Sequence, residues 1–229
     1  MKKSDKTVVI LSGGLDSSVN LYLAAQQTKV ELALTFNYGQ RAFEKEIQAS
    51  QKLTQNLGIK HQVIDLQWMK LFGKSSLIDN SLAIPKSEVS IDDHNTSLQT
   101  AKSVWVPNRN GIFLNIGAGF AESLGVKYLI PGFNLEEATT FPDNSLEFMK
   151  ALDHSFSFST QNKVETFCFT VNLNKTEIVS MGMQLQLPFK ELWPCYLTAE
   201  KWCGECESCK RFKRALIANK LDLHSYFRI

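Results

Sequence analysis

The chain has 229 residues, of which 44% are hydrophobic and 21% charged, and a net charge of +2. That is enough for one sizeable α/β domain, or a domain with a small appendage. The near-neutral balance argues against a surface built to coat nucleic acid, and no apolar run approaches the length of a membrane span.

Lys2 and Lys3 precede an apolar stretch that stops at Ser12. It reads as a core strand rather than a signal peptide, so a soluble cytoplasmic protein is expected. Val8, Val9, Ile10 and Leu11 form a β-branched apolar run, suited to a parallel strand covered on both faces. Ser12, Gly13 and Gly14 break it, and Asp16, Ser17 and Ser18 open an apolar-periodic helix through Val19, Leu21, Leu23 and Ala24. Free backbone N–H groups and the positive end of a helix dipole meet there, which makes a nest for an anion. No lysine is present, so this is not the kinase-type phosphate loop. A loop of this kind suits gripping the pyrophosphate of ATP while the α-phosphate is attacked.

Glu31 to Asn37 reads as a second strand, 37–41 as a turn, and Ala42 to Leu57 as a helix stopped by Gly58. His61 to Leu66 is a third strand. Strand and helix alternate through the first 66 residues, which predicts a parallel sheet with right-handed crossovers. Residues 67–104 are rich in turn formers, among them Ser75, Ser76, Asn80, Ser81, Pro85, Ser87, Ser90, Asp92, Asp93 and Asn95. They read as an irregular lid or partner-contact region. Val104 to Asn110 leads into a helix over Ile112 to Leu124. Tyr128 to Gly132 is the next strand, followed by a loop over 133–144 and a helix from Ser145 to about Ser155. Thr166 to Leu173 is a strand candidate, and Asn174 caps a helix reaching Met183.

Four of the five cysteines crowd near the C-terminus as Cys195-x7-Cys203-x2-Cys206-x2-Cys209. Four thiolates can surround a tetrahedral zinc, and Gly204 supplies a tight turn. Metal binding would also fold a tail too short to hold itself by apolar burial. An iron–sulfur cluster shares the two-residue spacers. The upstream fourth ligand and the lack of a following Cys-Pro favour zinc. A catalytic thiol pair is the third reading. Cys168 reads as an ordinary buried thiol. Lys210, Arg211, Lys213 and Arg214 read first as a solvated helix face, with a phosphate lid or an RNA contact as the alternative.

SGGLDSS at 12–18 resembles the signature of the PP-loop ATP pyrophosphatases. Further matches are FNYGQR at 36–41, VPNRN at 106–110, FLNIGAGFAE at 113–122, GFN at 132–134, FPD at 141–143, NKTEI at 174–178 and the four-cysteine tail. With these, the chain resembles the 7-cyano-7-deazaguanine synthase family from about residue 7 to 214. The resemblance implies a Rossmann-like α/β fold of adenine nucleotide alpha hydrolase type. Helices cover both faces of a parallel sheet, and a small C-terminal helical zinc-binding region follows. The expected division is 1–185 and 186–229, within one globular unit.

The implied activity is ATP-dependent conversion of 7-carboxy-7-deazaguanine and ammonia to the nitrile, by way of an adenylated acid and an adenylated amide. The implied cofactors are ATP, Mg²⁺ and Zn²⁺. A homodimer is expected, with no stable nucleic-acid partner. On this resemblance Ser12, Gly13, Gly14, Leu15, Ser17 and Ser18 hold the ATP phosphates. Asp16 orients the loop or binds Mg²⁺. Phe36 and Tyr38 lie at the adenine or purine edge. Arg41 and Arg109 neutralise phosphate or the substrate carboxylate. Gly132, Asn134 and Asp143 line the deazapurine pocket. Asp16, Ser17 and Arg109 carry catalysis. The chain departs from the family where Asn144-Ser145 follows Phe141-Pro142-Asp143 in place of Cys-Arg, and where Leu15 replaces a usual Gln. Three alternatives stay open. One is a paralogue passing the adenylate to another nucleophile. The others are a PP-loop tRNA-modifying enzyme and a zinc-ribbon nucleic-acid module.

Overall fold

The computed structural model describes residues 1–86, 91 and 94–228. The elements run β1 (Lys6–Ile10), α1 (Leu15–Gln27), β2 (Lys29–Asn37), α2 (Phe43–Leu57) and β3 (His61–Asp65). Then come a 3₁₀ turn (Gln67–Phe72), α3 (His94–Val104), α4 (Arg109–Ser123), β4 (Tyr128–Ile130), α5 (Leu135–Ala138) and a 3₁₀ turn (Pro142–Asn144). The chain closes with α6 (Leu146–Ser159), β5 (Glu165–Thr166), α7 (Lys175–Gln184) and α8 (Glu207–Ala218).

Five parallel strands form one sheet in the order β3-β2-β1-β4-β5. The order reverses direction at β1. Right-handed crossovers therefore put α1 and α2 on one face and α4 and α6 on the other. Val8, Val9, Ala33, Leu34, Leu129 and Ile130 are fully buried between these layers, as a two-sided parallel sheet requires. The gap between β1 and β4, at the carboxyl ends of the strands, is the switch point where open α/β sheets bind ligands.

Three sequence expectations change. The stretch 67–104 is more regular than its composition implies, since Gln67–Phe72 is a 3₁₀ turn and His94–Val104 is helical. Ser87, Ser90, Asp92 and Asp93 lie outside the described residues. The expected loop at 133–144 contains α5, capped by Asn134, whose Oδ1 accepts from Glu137 N at 2.9 Å. The expected strand 166–173 stops after Thr166. Phe167 N still reaches Leu129 O at 2.9 Å. Beyond it Asn20 takes over: its Oδ1 accepts from Phe169 N at 2.8 Å and its Nδ2 donates to Thr170 Oγ1 at 2.6 Å. A fully buried asparagine on α1 thus replaces the next ladder bond and bends the chain across the switch point.

Candidate functional site

β1 delivers the loop Ser12–Gly14 to the switch point. Gly13 has φ +72°, and a Cβ there would lie 2.7 Å from Ala49 Cβ and 2.8 Å from the Glu46 carbonyl oxygen. Only glycine fits. Its carbonyl accepts from Trp193 N at 2.8 Å, which ties the loop to the C-terminal region. Gly14 caps α1 without a side-chain hydrogen bond, leaving first-turn amides available to an anion. The Ser12 and Ser17 hydroxyls meet at 3.0 Å, and the Ser18 hydroxyl donates to Gly14 O at 2.6 Å. At the end of β4, Gly132 presses on the same helix start: a Cβ would lie 2.5 Å from Ser17 N and Cα. Ser12, Gly14, Leu15, Asp16, Ser17 and Gly132 line one cleft, and Gly13 and Ser18 support it from behind.

Beside the loop lies a buried ion cluster. Lys175 Nζ pairs with Asp16 Oδ2 and, at 2.7 Å, with Glu137 Oε1. Lys175 opens α7, where a cation opposes the helix dipole. Burial also opposes its charge, yet the two carboxylates hold its pKa above the ordinary lysine value. Burial pushes Asp16 up to about 6, with Lys175 pulling the other way. Glu137 is buried too, but Lys175 keeps it below its ordinary value. Asp16 Oδ1 is buried with no partner among the described residues. Lys175 was missed in the sequence because Asn174-Lys175-Thr176-Glu177 shows only its capping box, which the structure contains.

The far wall is aromatic and basic. Phe36 stacks on Phe113 with centroids 4.3 Å apart. Arg109 sits 5.7 Å over the Tyr38 ring and donates to its hydroxyl at 3.4 Å. Burial opposes the Arg109 charge, and Tyr38 and Asp143 more than compensate. Arg41 lines the cleft, but its guanidinium donates to the Asp79 and Leu82 carbonyls and so latches the 79–82 turn. Asn134 is fully buried behind the cleft as the α5 cap, and Asp143 lies beside Arg109 rather than on the wall. Its neighbour Asn144 is on the wall and donates to Asp143 Oδ1 at 3.2 Å. Ser145, at the departure from the family pattern, caps α6 by accepting from Phe148 N at 3.1 Å. Glu46, also missed, lines the cleft from α2 and accepts from Gln40 Nε2 at 2.8 Å. Cys168 is buried against Phe133 O and Thr170, and burial raises its pKa, the opposite of a reactive thiol.

The four C-terminal sulfurs all lie within 4.8 Å of one another, and Cys203 Sγ and Cys209 Sγ are 3.8 Å apart. A tetrahedron with metal–sulfur bonds of about 2.3 Å has sulfur–sulfur edges of about 3.8 Å. The site therefore fits one tetrahedral ion. A multi-iron cluster would hold its cysteines farther apart, with metal–metal edges between them. Backbone amides of Leu197 and Cys203 donate to Cys195 Sγ, and those of Glu205 and Cys206 to Cys203 Sγ, at 3.3–3.5 Å. Such bonds favour thiolates. Gly204, at φ +74°, makes the turn between two ligands. Trp202 packs against Phe212, Tyr226 and Phe227, so the tail also has a small aromatic core of its own.

The basic run after the cluster is a solvated face only in part: Lys213 is exposed. Arg211 is 5% exposed. It pairs with Glu207 at 2.8 Å and Glu136 at 3.2 Å, while Arg214 also pairs with Glu136. Along the run Arg211 is buried, Lys213 is exposed and Arg214 is part-exposed, and both arginines reach the Glu136 carboxylate on α5.

The family described as Queuosine biosynthesis protein QueC matches residues 6–220. A 7-cyano-7-deazaguanine synthase of Bdellovibrio bacteriovorus is 53% identical over the whole of both chains. One of Carboxydothermus hydrogenoformans is 46% identical, over 92% of this chain and 98% of that one. Another, of Methanosarcina barkeri, is 45% identical over 92% and 93%. Among solved structures, the U34-tRNA thiolase NcsA from Methanococcus maripaludis with its [4Fe-4S] cluster resembles this chain at a TM-score of 0.52. The identity is 17%, over 96% of this chain and 67% of that one, a likeness of fold alone. A parallel sheet carrying an SGGLDSS loop at its switch point, a four-sulfur site in the tail and near-full-length relatives of one kind converge: the chain belongs to the QueC family.

Proposed function

We propose that the chain converts 7-carboxy-7-deazaguanine and ammonia to 7-cyano-7-deazaguanine, using two ATP. The carrying observation is the open helix start at Ser12–Ser18 beside the Arg109–Tyr38 wall, in a chain whose relatives bear that name over their full length.

A carboxylate is a poor electrophile because oxide would have to leave. Its attack on the α-phosphate expels pyrophosphate and supplies AMP as the leaving group. Ammonia then gives the amide, and a second adenylation on the amide oxygen lets that oxygen depart and leaves C≡N. Ser12, Gly14, Ser17 and the first amides of α1 hold the pyrophosphate. Lys175 and Glu137 hold Asp16 in place. Asp16 Oδ1, buried and unpartnered, is the acceptor that fits Mg²⁺, which when bound screens phosphate charge. Arg109 faces the developing negative charge. Phe36, Phe113 and Tyr38 give the purine its apolar edge.

The four cysteines fit Zn²⁺, whose part is structural: it fixes the tail that carries Trp193 and α8. Residues 186–229 then form a metal-nucleated wall of the nucleotide site. A PP-loop thiolase reading is weaker, because Cys168 is walled off. A homodimer is supported by Trp68, Leu71 and Phe72, exposed beside the edge strand β3, and size exclusion with light scattering tests it. No helix of the described residues is long and apolar enough to cross a membrane.

The test is turnover with 7-carboxy-7-deazaguanine, ATP and ammonium, with products identified by mass spectrometry. AMP together with the nitrile is expected. AMP without the nitrile, or activity on tRNA alone, overturns the reading.

A further inference from the structure

The proposed reaction has a proton problem. Ammonia carries three protons and the nitrile nitrogen carries none. In amide formation the nitrogen lone pair attacks the acyl carbon, the C–O bond to AMP breaks with its electron pair, and one N–H proton must leave. In the second half the amide oxygen attacks the α-phosphate of another ATP and pyrophosphate departs. The C–O bond then breaks to release AMP, the C≡N bond forms, and the remaining two N–H protons leave. An acceptor is needed three times per turnover.

Among the described residues, three carboxylates line the cleft: Asp16, Glu46 and Glu137. Lys175 binds the first and the last. Glu46 has no ion pair among the described residues. What it has is the Gln40 amide, and that amide is fixed in orientation. Gln40 Oε1 accepts from Tyr38 N at 3.0 Å, and its Nε2 donates to Phe36 O at 2.9 Å and to Glu46 Oε2 at 2.8 Å. Gln40 therefore offers Glu46 a donor only. Oε2 can keep that bond in either protonation state while Oε1 gains and loses a proton. The charged and titratable groups facing Glu46 are Arg109 on α4, which is assigned to the developing negative charge, and Tyr38, just after β2, whose ring lies under Arg109.

We propose that Glu46 is the general base that removes the N–H protons in amide and nitrile formation. The proposal rests on the functional reading above. Burial pushes its carboxyl up to about 7, against the Gln40 hydrogen bond and the Arg109 charge, and a base poised near neutral pH is the efficient one. The carboxylate then empties its proton to solvent through the open side of the cleft between steps.

The experiment supplies the isolated amide with ATP, so that the ionisation of ammonia does not enter, and follows the nitrile by mass spectrometry across pH. Pyrophosphate exchange into ATP driven by the carboxylic acid is measured alongside. The wild-type nitrile rate is expected to rise with pH to a plateau, with a midpoint at about 7. In Glu46→Gln the ratio of nitrile rate to exchange rate should fall roughly 100-fold or more, and the pH limb should vanish. In Glu46→Asp part of the rate and the limb should return. Zinc content and melting temperature report folding of each variant. A Glu46→Gln ratio within about twofold of wild type with the same pH limb overturns the assignment of Glu46 while leaving the reaction intact. A wild-type protein with neither exchange nor nitrile overturns the underlying reading instead.

Discussion

Replacing Lys175 by methionine removes the ammonium from a cluster whose members are 5% (Lys175), 13% (Asp16) and 27% (Glu137) exposed at the side chain. The thioether fills the stem's volume, so the change is chiefly electrostatic. Two carboxylates are then left beside each other with no cation. Removing one partner of a buried ion pair costs about 3–5 kcal/mol. For a chain of this size each kcal/mol moves the melting temperature by roughly 2–4 °C, so a fall of roughly 6–20 °C is expected at pH 8. Without Lys175, burial and mutual repulsion raise both folded-state carboxyl pKa values above the unfolded value of about 4. The folded state then takes up protons more readily than the unfolded one, so the variant regains stability as the pH falls from 8 toward 5. Thermal melts of Lys175→Met across that range check it, with Asp16→Asn in the same background expected to restore part of the loss. A variant whose melting temperature matches wild type at pH 8 and does not respond to pH would refute the coupling of Lys175 to the nucleotide loop.

Asp16→Ala should abolish acid-dependent pyrophosphate exchange, and in the wild type that exchange should decline as the pH is taken below about 6, where Asp16 becomes protonated. Gly132→Ala puts a Cβ where the Ser17 backbone stands, so the start of α1 must shift: the exchange should fall roughly tenfold or more, and the melting temperature should fall with it. Arg109→Met should lower nitrile formation by roughly 100-fold, measured as kcat/KM for the acid, through loss of the positive charge on the reacting side. Cys206→Ser should release bound metal, seen by elemental analysis as loss of about one zinc per chain, and lower the melting temperature; equal stability with and without metal would count against a structural centre.

Much of this site was legible in the sequence because its parts are local. Val8–Leu11 followed by Ser12-Gly13-Gly14 specifies a strand, a turn and a helix start within one window, and Cys203, Gly204, Cys206 and Cys209 specify a metal turn in another. What stayed hidden depends on pairs far apart in the chain. Lys175 and Asp16 are 159 residues apart, and locally Lys175 is only the first residue after a cap. Glu46 stands near Glu44 in the first turn of an amphipathic helix, where acids are ordinary dipole partners. Only the return of Gln40 shows that its carboxylate faces inward. The strand expected at 166–173 failed for the same reason: Asn20 competes for the backbone from 149 residues away.

The same long-range pairing decides what the cysteine tail is for. Glu136 and Glu137 are consecutive on α5, so their side chains diverge by about 100° around the helix. Glu137 turns to Lys175 and, through it, to Asp16. Glu136 turns to Arg211 and Arg214 on the helix that carries Cys209, and also accepts from Lys175 N at 2.9 Å. A second tie runs from Trp193, just before Cys195, to the Gly13 carbonyl. The cysteine cluster therefore reaches the phosphate loop by two routes, one through side-chain charges and one through a backbone hydrogen bond. Loss of a metal bound there would free α8 and the segment around Trp193 together, withdrawing both supports from a loop that has no lysine of its own to hold a phosphate. That would give a synthase of this kind a physical reason to carry a four-cysteine cluster away from the phosphate loop: the cluster stands in the wall against which SGGLDSS is held.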